Sequence, residues 1–262
     1  MSVKKENLVA NLSFLFTDLP LLDRFEAAKA AGLKRVEFMF PYDYEPAELK
    51  EALEINGLEL VLFNLPAGNW DAGERGIALD PSRQEEFQAG VAKAITFAQA
   101  LQVKQVNCLV GKALPDQSAE VLWSTLIANI RYAAEQLQAA GVKLLVEPLN
   151  HLDAPGFFLN TTDDVLNVIS ASESDNVFLQ YDTYHAAREG EDLLQVLRDK
   201  FPQIAHIQIA DNPGRHQPGT GELDYHTFFK TLEEVDYPFA IAMEYVPQPD
   251  TVTSLAWIKD FE

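Results

Sequence analysis

Polar side chains stand at the ends of several short apolar segments in this sequence. The run LLV ends at Glu147, and Asp182, Gln208 and Glu244 lie at the ends of three later runs. An ionised carboxylate beside an apolar run is unstable unless a cation, a proton or hydrogen bonds compensate for its burial. Carboxylate and amide oxygens suit Mg²⁺ or Mn²⁺ better than metals that prefer thiolates. The four residues therefore predict a divalent metal site, or carboxylates with raised pKa values that serve acid–base catalysis.

Each of these residues also has a simpler structural explanation. A lone carboxylate at a strand end is most often a helix N-cap or a partner for arginine, and for Asp182 alone this is the more common role. Gln208 could do no more than hydrogen-bond its neighbours. Equivalent positions at four strand ends favour a shared site, provided that the fold brings those ends together.

Apolar runs alternate with helical patterns along the chain, and we count eight such pairs. The predicted strands are Leu8–Leu12, Arg35–Phe38, Leu58–Phe63, Val103–Leu109, the run within Lys143–His151 that stops at Glu147, Asn176–Tyr181, Ile204–Ile209 and Phe239–Met243. The predicted helices are Leu21–Ala31, Pro46–Asn56, Gln84–Leu101, Ala119–Ala140, Thr162–Ala171, Leu193–Lys200, Tyr225–Val235 and Val252–Asp260. Eight such units predict an α/β fold, with residues 1–262 forming a single (β/α)8 TIM barrel whose strand ends meet at one mouth.

A doubly wound open sheet is the alternative fold for this pattern. Such a sheet often carries G-x-G-x-x-G after its first strand and gathers its polar residues at one switch point. This sequence has no such motif after Leu12, and its polar strand ends are spread along the chain. The closed barrel is therefore favoured.

Composition and charge restrict the class of protein. Hydrophobic residues make up 47% of the 262 residues, which is ample for a large core. The net charge of -20 disfavours nucleic acid and anionic membranes as partners, and no apolar run is long enough to span a membrane. The only cysteine, Cys108, is expected in the core, and no signal-peptide pattern is seen, so we expect a cytoplasmic location. A small-molecule substrate is expected, and whether the chain forms a homo-oligomer is left open.

Positive groups near the predicted mouth are few. Arg75 lies in the long segment after the third strand, Lys112 follows the fourth strand, and Arg215 follows the seventh. These three residues could bind a small carboxylate, with arginine offering two parallel hydrogen bonds, or they could pair with neighbouring acids. His185 follows Asp182 by three residues, and it is equally expected as a substrate contact or as a structural histidine.

Long segments of the chain resemble the hydroxypyruvate isomerase family, a branch of the xylose-isomerase-like TIM barrels. The similar segments run nearly end to end and include FNLPAGNWDAGERGIA, VNCLVGK, LLVEPLNHLDAPGFFL, QYDTYHAAREG, HIQIADNPGRHQPGTGEL and AMEYVPQ. The resemblance implies that Glu147 and Glu244 are the catalytic acid/base pair. Relatives in the wider group hold a divalent metal with Glu, Asp, His and Glu, which fall on Glu147, Asp182, Gln208 and Glu244. Gln208 departs from that pattern because it replaces histidine.

The resemblance also implies a reaction, the interconversion of hydroxypyruvate and tartronate semialdehyde. A proton moves between adjacent carbons of a 2-oxo-3-hydroxy acid through an enediolate, so a base, an acid and a group that stabilises the oxyanion are needed. The two glutamates would transfer the proton. Either the divalent ion or His185 would polarise the substrate oxygens, and Arg75, Lys112 or Arg215 would hold the carboxylate.

Other activities fit parts of the same pattern. A 2-oxo-tetronate isomerase shares the two glutamates but tends to differ in the GERG and CLVGK segments, where this chain keeps the hydroxypyruvate-type residues. A sugar epimerase on the same scaffold uses the same pair. A DNA-repair endonuclease would carry a histidine-rich zinc cluster and a basic face, which five histidines and the acidic charge disfavour. A non-catalytic binding protein would not need opposed carboxylates.

Overall fold

The computed structural model describes residues 5–261, and its centre is a closed barrel of eight parallel strands. The strands are β1 (Leu8–Asn11), β2 (Arg35–Glu37), β3 (Glu59–Asn64), β4 (Gln105–Cys108), β5 (Lys143–Val146), β6 (Val177–Asp182), β7 (Ile204–Ile209) and β8 (Ile241–Met243). Each strand pairs with the next, and β8 pairs with β1, which closes the ring. The prediction of a (β/α)8 barrel is confirmed. The prediction of one domain over residues 1–262 includes residues outside the described range, and it stays a prediction.

Helices surround the barrel and connect its strands. They are α1 (Leu21–Ala30), α2 (Pro46–Asn56), α3 (Gln84–Leu101), α4 (Ala119–Ala139), α5 (Thr162–Ser172), α6 (Thr183–Arg188), α7 (Leu193–Lys200), α8 (Tyr225–Glu234) and α9 (Thr251–Ser254), with 3₁₀ turns at Lys5–Asn7, Phe201–Gln203 and Leu255–Asp260. Within residues 5–261, none of the helices combines the length and hydropathy needed to cross a membrane.

Two helical segments differ from their predictions. Helix α6 was not predicted, because six residues that start directly after β6 are too short to show a helical period. The segment predicted as one helix over Val252–Asp260 is instead the short helix α9 followed by a 3₁₀ helix.

The strands are apolar because both of their faces are covered. All residues of β1, β7 and β8 are buried, inside the barrel on one face and under the helices on the other. The predicted bounds of β7 are exact, whereas β4 and β8 are shorter than predicted. Cys108 is buried in β4, and burial raises the pKa of its thiol to about 12, so it is a core residue as expected.

Two glycines bring the segment after β3 against the segment after β4. Gly76 has a φ of +120°, and an added Cβ would overlap the carbonyl oxygen of Leu109. Gly111 has a φ of +115°, and a Cβ there would lie 2.6 Å from the carbonyl oxygen of Gly76. Only glycine accommodates both the backbone conformation and this close approach. The contact holds Arg75, which precedes Gly76, at the mouth of the barrel.

Replacing Gly76 with alanine should therefore destabilise this loop contact. Gly73→Ala is the matched control, because Gly73 also has a positive φ (+89°) in the same loop but has open space at its Cβ position. We expect Gly73→Ala to lower the free energy of unfolding by about 1–2 kcal/mol, the usual effect of a left-handed alanine. Gly76→Ala should lower it by roughly 3 kcal/mol or more, since backbone must also move. Urea unfolding measures both, and equal losses would contradict the proposed contact.

Candidate active site

A cavity of about 240 Å³ lies at the mouth of the barrel, where the strands end. Its polar lining comprises Asn11, Glu37, Asn64, Arg75, Glu147, Asp153, Gln180, His185, Gln208, Arg215 and Glu244. Six of the eight residues predicted from the sequence are in this lining. Asp182 lies directly behind it, next to Glu147 and His185. Lys112 instead lines an adjoining cavity of about 160 Å³, which also includes Arg75.

Glu244 directly follows β8 and is held by three hydrogen-bond donors. Its Oε1 accepts from Arg215 at 2.7 Å, and its Oε2 accepts from Asn11 Nδ2 at 2.7 Å and from Gln208 Nε2 at 2.6 Å. Burial raises the pKa of Glu244 well above its usual range, the Arg215 guanidinium opposes this, and repulsion from Glu147 adds to the rise. The donors therefore offset a strong penalty on the charged carboxylate.

Glu147 directly follows β5 and faces the same cavity. Its Oε2 accepts a hydrogen bond from Asn107 Nδ2 at 2.9 Å. Burial and repulsion from Asp182 raise the pKa of Glu147 to about 8, although Arg215 acts in the opposite direction. This shift favours the protonated form of Glu147, which is the form that a general acid requires.

Asp182 ends β6 and also caps helix α6. Its Oδ1 accepts from the backbone N–H groups of Tyr184 at 2.7 Å and His185 at 3.4 Å, so the helix-cap explanation is confirmed. Its Oδ2, however, is buried without a hydrogen-bond partner, 3.8 Å from an Arg215 nitrogen. Burial raises the pKa of Asp182 to about 6, and Arg215 opposes the rise. One oxygen thus serves the fold, and the other is available to the site.

His185 lies in the first turn of α6 and is a neutral hydrogen-bond donor. Its Nδ1 accepts from the backbone N–H of Asn150 at 3.0 Å, so the ring proton resides on Nε2. Burial lowers the pKa of His185 well below its usual range, and the Arg215 charge adds to this effect. The Nε2 atom is 3.5 Å from an Arg215 nitrogen. Two adjacent donors at the cavity suit an oxygen atom of a ligand.

The residues around Asp182 fit a metal ion. Glu147, Asp182 and His185 each offer one ligand atom, all within 4.8 Å of one another, so this buried trio could bind a metal. The unpartnered Oδ2 of Asp182 is the strongest indication, because a buried carboxylate oxygen needs a cation or a donor. For His185 to bind through Nε2 it would have to give up the proton that the Asn150 contact places there.

Gln208, the fourth ligand predicted from the sequence, has its amide engaged elsewhere. Its Oε1 accepts from Gln180 Nε2 at 2.8 Å, and its Nε2 donates to Glu244 and to Glu37 at 2.8 Å. Its nitrogen, not its oxygen, therefore faces Glu244. Metal binding by Glu147, Asp182, Gln208 and Glu244 stays a prediction.

Arg75 reaches the cavity from the loop after β3. Its guanidinium lies 3.8 Å from the centroid of the Trp70 ring and donates to the carbonyl oxygens of Trp70 at 3.1 Å and Glu74 at 2.7 Å. Among residues 5–261 no carboxylate forms an ion pair with it. Arg215, by contrast, is paired with Glu244. Arg75 thus retains capacity for an added anion.

Asp211, which the sequence interpretation missed, fixes the loop that carries Arg215. Its carboxylate is buried and accepts four backbone N–H groups at 2.8–3.1 Å, from Asn212, Gly219, Gly221 and Leu223. The carbonyl of Arg215 also accepts from the Val246 N–H at 2.7 Å, which ties this loop to the segment after β8. An aspartate two residues beyond β7, within a loop rich in Gly and Pro, was the available signal.

Asn11, Glu37 and Asn107 were also missed as site residues. Each lies at or beside the end of a strand, where a single amide or carboxylate is too common to be informative. Only the ring of strands shows that Asn11 and Asn107 donate to Glu244 and Glu147, respectively.

Comparison with known proteins agrees with this geometry. Residues 25–261 match the family described as xylose isomerase-like TIM barrel. Hydroxypyruvate isomerase of Escherichia coli is 48% identical over 252 residues, which cover 96% of this chain and 98% of that protein. The 2-oxo-tetronate isomerase of Haemophilus influenzae is 38% identical over 253 residues, covering 97% and 98%.

A solved structure extends the likeness to three dimensions. The crystal structure of a Brucella melitensis protein described as AP endonuclease, family 2, superimposes with a TM-score of 0.94 at 37% identity and covers 97% of this chain and 98% of that one. The matches span nearly the full length of each protein. The chain therefore belongs to the xylose isomerase-like TIM-barrel family, in the branch that includes hydroxypyruvate isomerase and 2-oxo-tetronate isomerase.

Proposed function

We propose that this protein is an isomerase that interconverts hydroxypyruvate and tartronate semialdehyde by proton transfer. The observation that carries the proposal is the pair of buried carboxyl groups, Glu147 and Glu244, lining one small cavity with arginine side chains beside them. The 48% identity to the Escherichia coli hydroxypyruvate isomerase supports the choice of substrate.

The two glutamates supply the acid and the base. One removes the proton from C3 of hydroxypyruvate, which gives an enediolate. The proton of the C3 hydroxyl passes to the C2 oxygen, and the other glutamate assists the return of a proton to C2, which leaves an aldehyde at C3. The roles exchange in the reverse direction. Burial raises the pKa of both groups, which favours a pair that can hold a proton as well as accept one.

Donors at the cavity stabilise the charge that develops on the substrate oxygens. The Nε2–H of His185 and the guanidinium of Arg215 lie 3.5 Å apart and can donate to one enediolate oxygen. Because the carbonyl oxygen of Asp211 accepts from the Arg215 N–H and the carboxylate of Asp182 accepts from the His185 N–H, the donors need little reorganisation during the reaction. A divalent ion held by Glu147 and Asp182, with His185 Nε2 as a third ligand, would supply the same polarisation, and Mg²⁺ or Mn²⁺ suits the carboxylate oxygens.

Arg75 is proposed to hold the substrate carboxylate. It lines the cavity, lacks a carboxylate partner among the described residues, and is oriented by Trp70. Of the other predicted cations, Arg215 is paired with Glu244, and Lys112 lies in the adjoining cavity. A guanidinium can form two parallel hydrogen bonds to a carboxylate, which gives both affinity and orientation.

The alternatives differ in substrate. A 2-oxo-tetronate isomerase would use the same groups on a four-carbon acid, and its relatives are 37–38% identical to this chain. A sugar epimerase would have no use for a carboxylate clamp. A DNA-repair endonuclease is disfavoured because the one possible metal cluster in residues 5–261 contains a single histidine, in a chain of net charge -20.

Proton NMR in deuterium oxide tests the proposed reaction. With hydroxypyruvate we expect tartronate semialdehyde that carries solvent deuterium at C2. Glu147→Gln and Glu244→Gln should each lower kcat by roughly 10² to 10⁴, the usual contribution of a general acid or base. Glu222→Gln is the matched control, because Glu222 is an exposed glutamate in the loop between β7 and α8, and this substitution should leave kcat unchanged.

Other results of this assay would change the assignment. Turnover without deuterium would indicate a hydride shift, and faster turnover of a four-carbon 2-oxo acid would favour the tetronate isomerase. Full activity in either glutamine variant would reject the acid/base pair. A chelator added to the same assay tests the divalent ion, since loss and recovery of activity with Mg²⁺ or Mn²⁺ is expected if the ion polarises the substrate.

Arg75→Gln should weaken substrate binding. Loss of charge-assisted hydrogen bonds worth about 1.5–3 kcal/mol corresponds to a rise in KM of roughly 10- to 100-fold. Lys112→Gln removes the same charge from the adjoining cavity and should change KM by less than about twofold. Steady-state kinetics measures both, and the reverse order of effects would identify Lys112 as the carboxylate-binding residue.

A further inference from the structure

Glu37, at the end of β2, is a buried carboxylate that lines the same cavity as the two proposed catalytic glutamates. Its side chain is only 1% exposed. Its Oε1 accepts from Asn11 Nδ2 at 2.9 Å and from Gln208 Nε2 at 2.8 Å. Its Oε2 lies 2.7 Å from His206 Nε2. Every polar neighbour of Glu37 in this group is itself buried, so the contacts are shielded from water.

The same two amides also bind Glu244. Asn11 Nδ2 donates to Glu244 Oε2 at 2.7 Å, and Gln208 Nε2 donates to the same oxygen at 2.6 Å. Each amide nitrogen thus uses one N–H for Glu37 and the other for Glu244. The two carboxylates are bridged twice, by side chains from β1 and β7.

The two carboxylates are bridged only when the amide nitrogens of Asn11 and Gln208 point toward them. An amide of Asn or Gln can present either its oxygen or its nitrogen, and its neighbours decide which. The hydrogen bonds of the amide oxygens support this orientation, because Gln208 Oε1 accepts from Gln180 and Asn11 Oδ1 accepts from the backbone N–H of Ser13. A reversed amide would place its oxygen against two carboxylate oxygens.

His206 fixes the second carboxylate oxygen of Glu37. Its Nδ1 lies 3.2 Å from the amide nitrogen of Gln105, which can only donate, so the ring proton resides on Nε2 and points at Glu37. His206 lies on β7, two residues before Gln208, and its side chain is buried. The chain of contacts runs from His206 to Glu37, then through two amides to Glu244.

We propose that Glu37 is a positioning residue for the isomerisation. By accepting from Asn11 and Gln208 it keeps both amide nitrogens turned toward Glu244, and they fix the carboxylate of Glu244 for proton transfer. The proposal rests on the catalytic role proposed for Glu244. It also gives Gln208 a role that uses its amide nitrogen.

Two substitutions of Glu37 separate hydrogen-bond acceptance from charge. Glu37→Gln keeps one oxygen that can accept from Asn11 and Gln208, while its nitrogen can donate to His206 Nε2 once the ring proton moves to Nδ1 and the Gln105 amide turns its oxygen toward that proton. We expect kcat to fall by less than about fivefold. Glu37→Leu removes both acceptors, and kcat should fall by roughly 10²-fold, as for loss of a preorganised hydrogen bond, with KM changed by less than about threefold.

A double-mutant cycle shows whether Glu37 acts through Glu244. In a Glu244→Gln background, Glu37→Leu should lower the residual rate by less than about threefold, because the group it positions is gone. In a Glu147→Gln background its full effect should persist. Asn11→Ala, which removes the amide that donates to both Glu37 and Glu244, should show the same dependence on background and serves if Glu37→Leu folds poorly.

The outcomes distinguish the possible failures. Equal losses from Glu37→Leu in all backgrounds, or a lowered unfolding midpoint with unchanged kcat per folded molecule, would overturn the positioning role and leave a structural one. A Glu244→Gln enzyme with full activity would instead reject the proposed function. An inactive Glu244→Gln enzyme together with fully active Glu37→Leu and Asn11→Ala enzymes would reject only the present inference.

Discussion

Crowding of carboxylates in a buried space is the constraint on which this structure depends. Four carboxylates lie close together at the mouth of the barrel, each less than a tenth exposed: Glu37, Glu147, Asp182 and Glu244. Like charges at this depth repel one another, and burial alone disfavours the ionised forms. The guanidinium of Arg215 and a set of amide donors offset this repulsion and the cost of burial. The pKa values of Glu147, Asp182 and Glu244 stay raised, which suits them to proton transfer.

The barrel fold brings residues that are far apart in the sequence into one cavity. Glu147 and Glu244 are almost a hundred positions apart, yet each needs only to follow its strand for both to reach the same cavity. The loops then add cations that the strands do not supply. Asp211 shapes one loop by accepting four backbone N–H groups, and Gly76 allows another to pack against the β4 segment. Arg215 and Arg75 are thereby fixed before any ligand arrives, which lowers the reorganisation needed on binding.

Amide side chains have a larger part in this site than their ordinary appearance in the sequence suggests. Asn11, Asn107 and Gln208 donate to the proposed catalytic carboxylates without adding charge. A neutral donor stabilises the anion less than a cation does, and it leaves the carboxylate able to accept a proton. Gln208 joins Glu244 to Glu37 through its amide nitrogen instead of facing the cavity with its oxygen.

The sequence by itself determined the fold and much of the candidate site. Alternation of apolar runs and helical periods fixes eight units, and the position of Glu147, Asp182 and Glu244 at run ends places them at one mouth, because strand direction is the same in every unit. Tertiary structure alone decided the partners. Which cation pairs with Glu244, which way the Gln208 amide turns, and that Lys112 lies in an adjoining cavity all depend on contacts between residues far apart in the chain. Local patterns specify where a side chain leaves the backbone, whereas its hydrogen bonds are set by neighbours that only ring closure brings near.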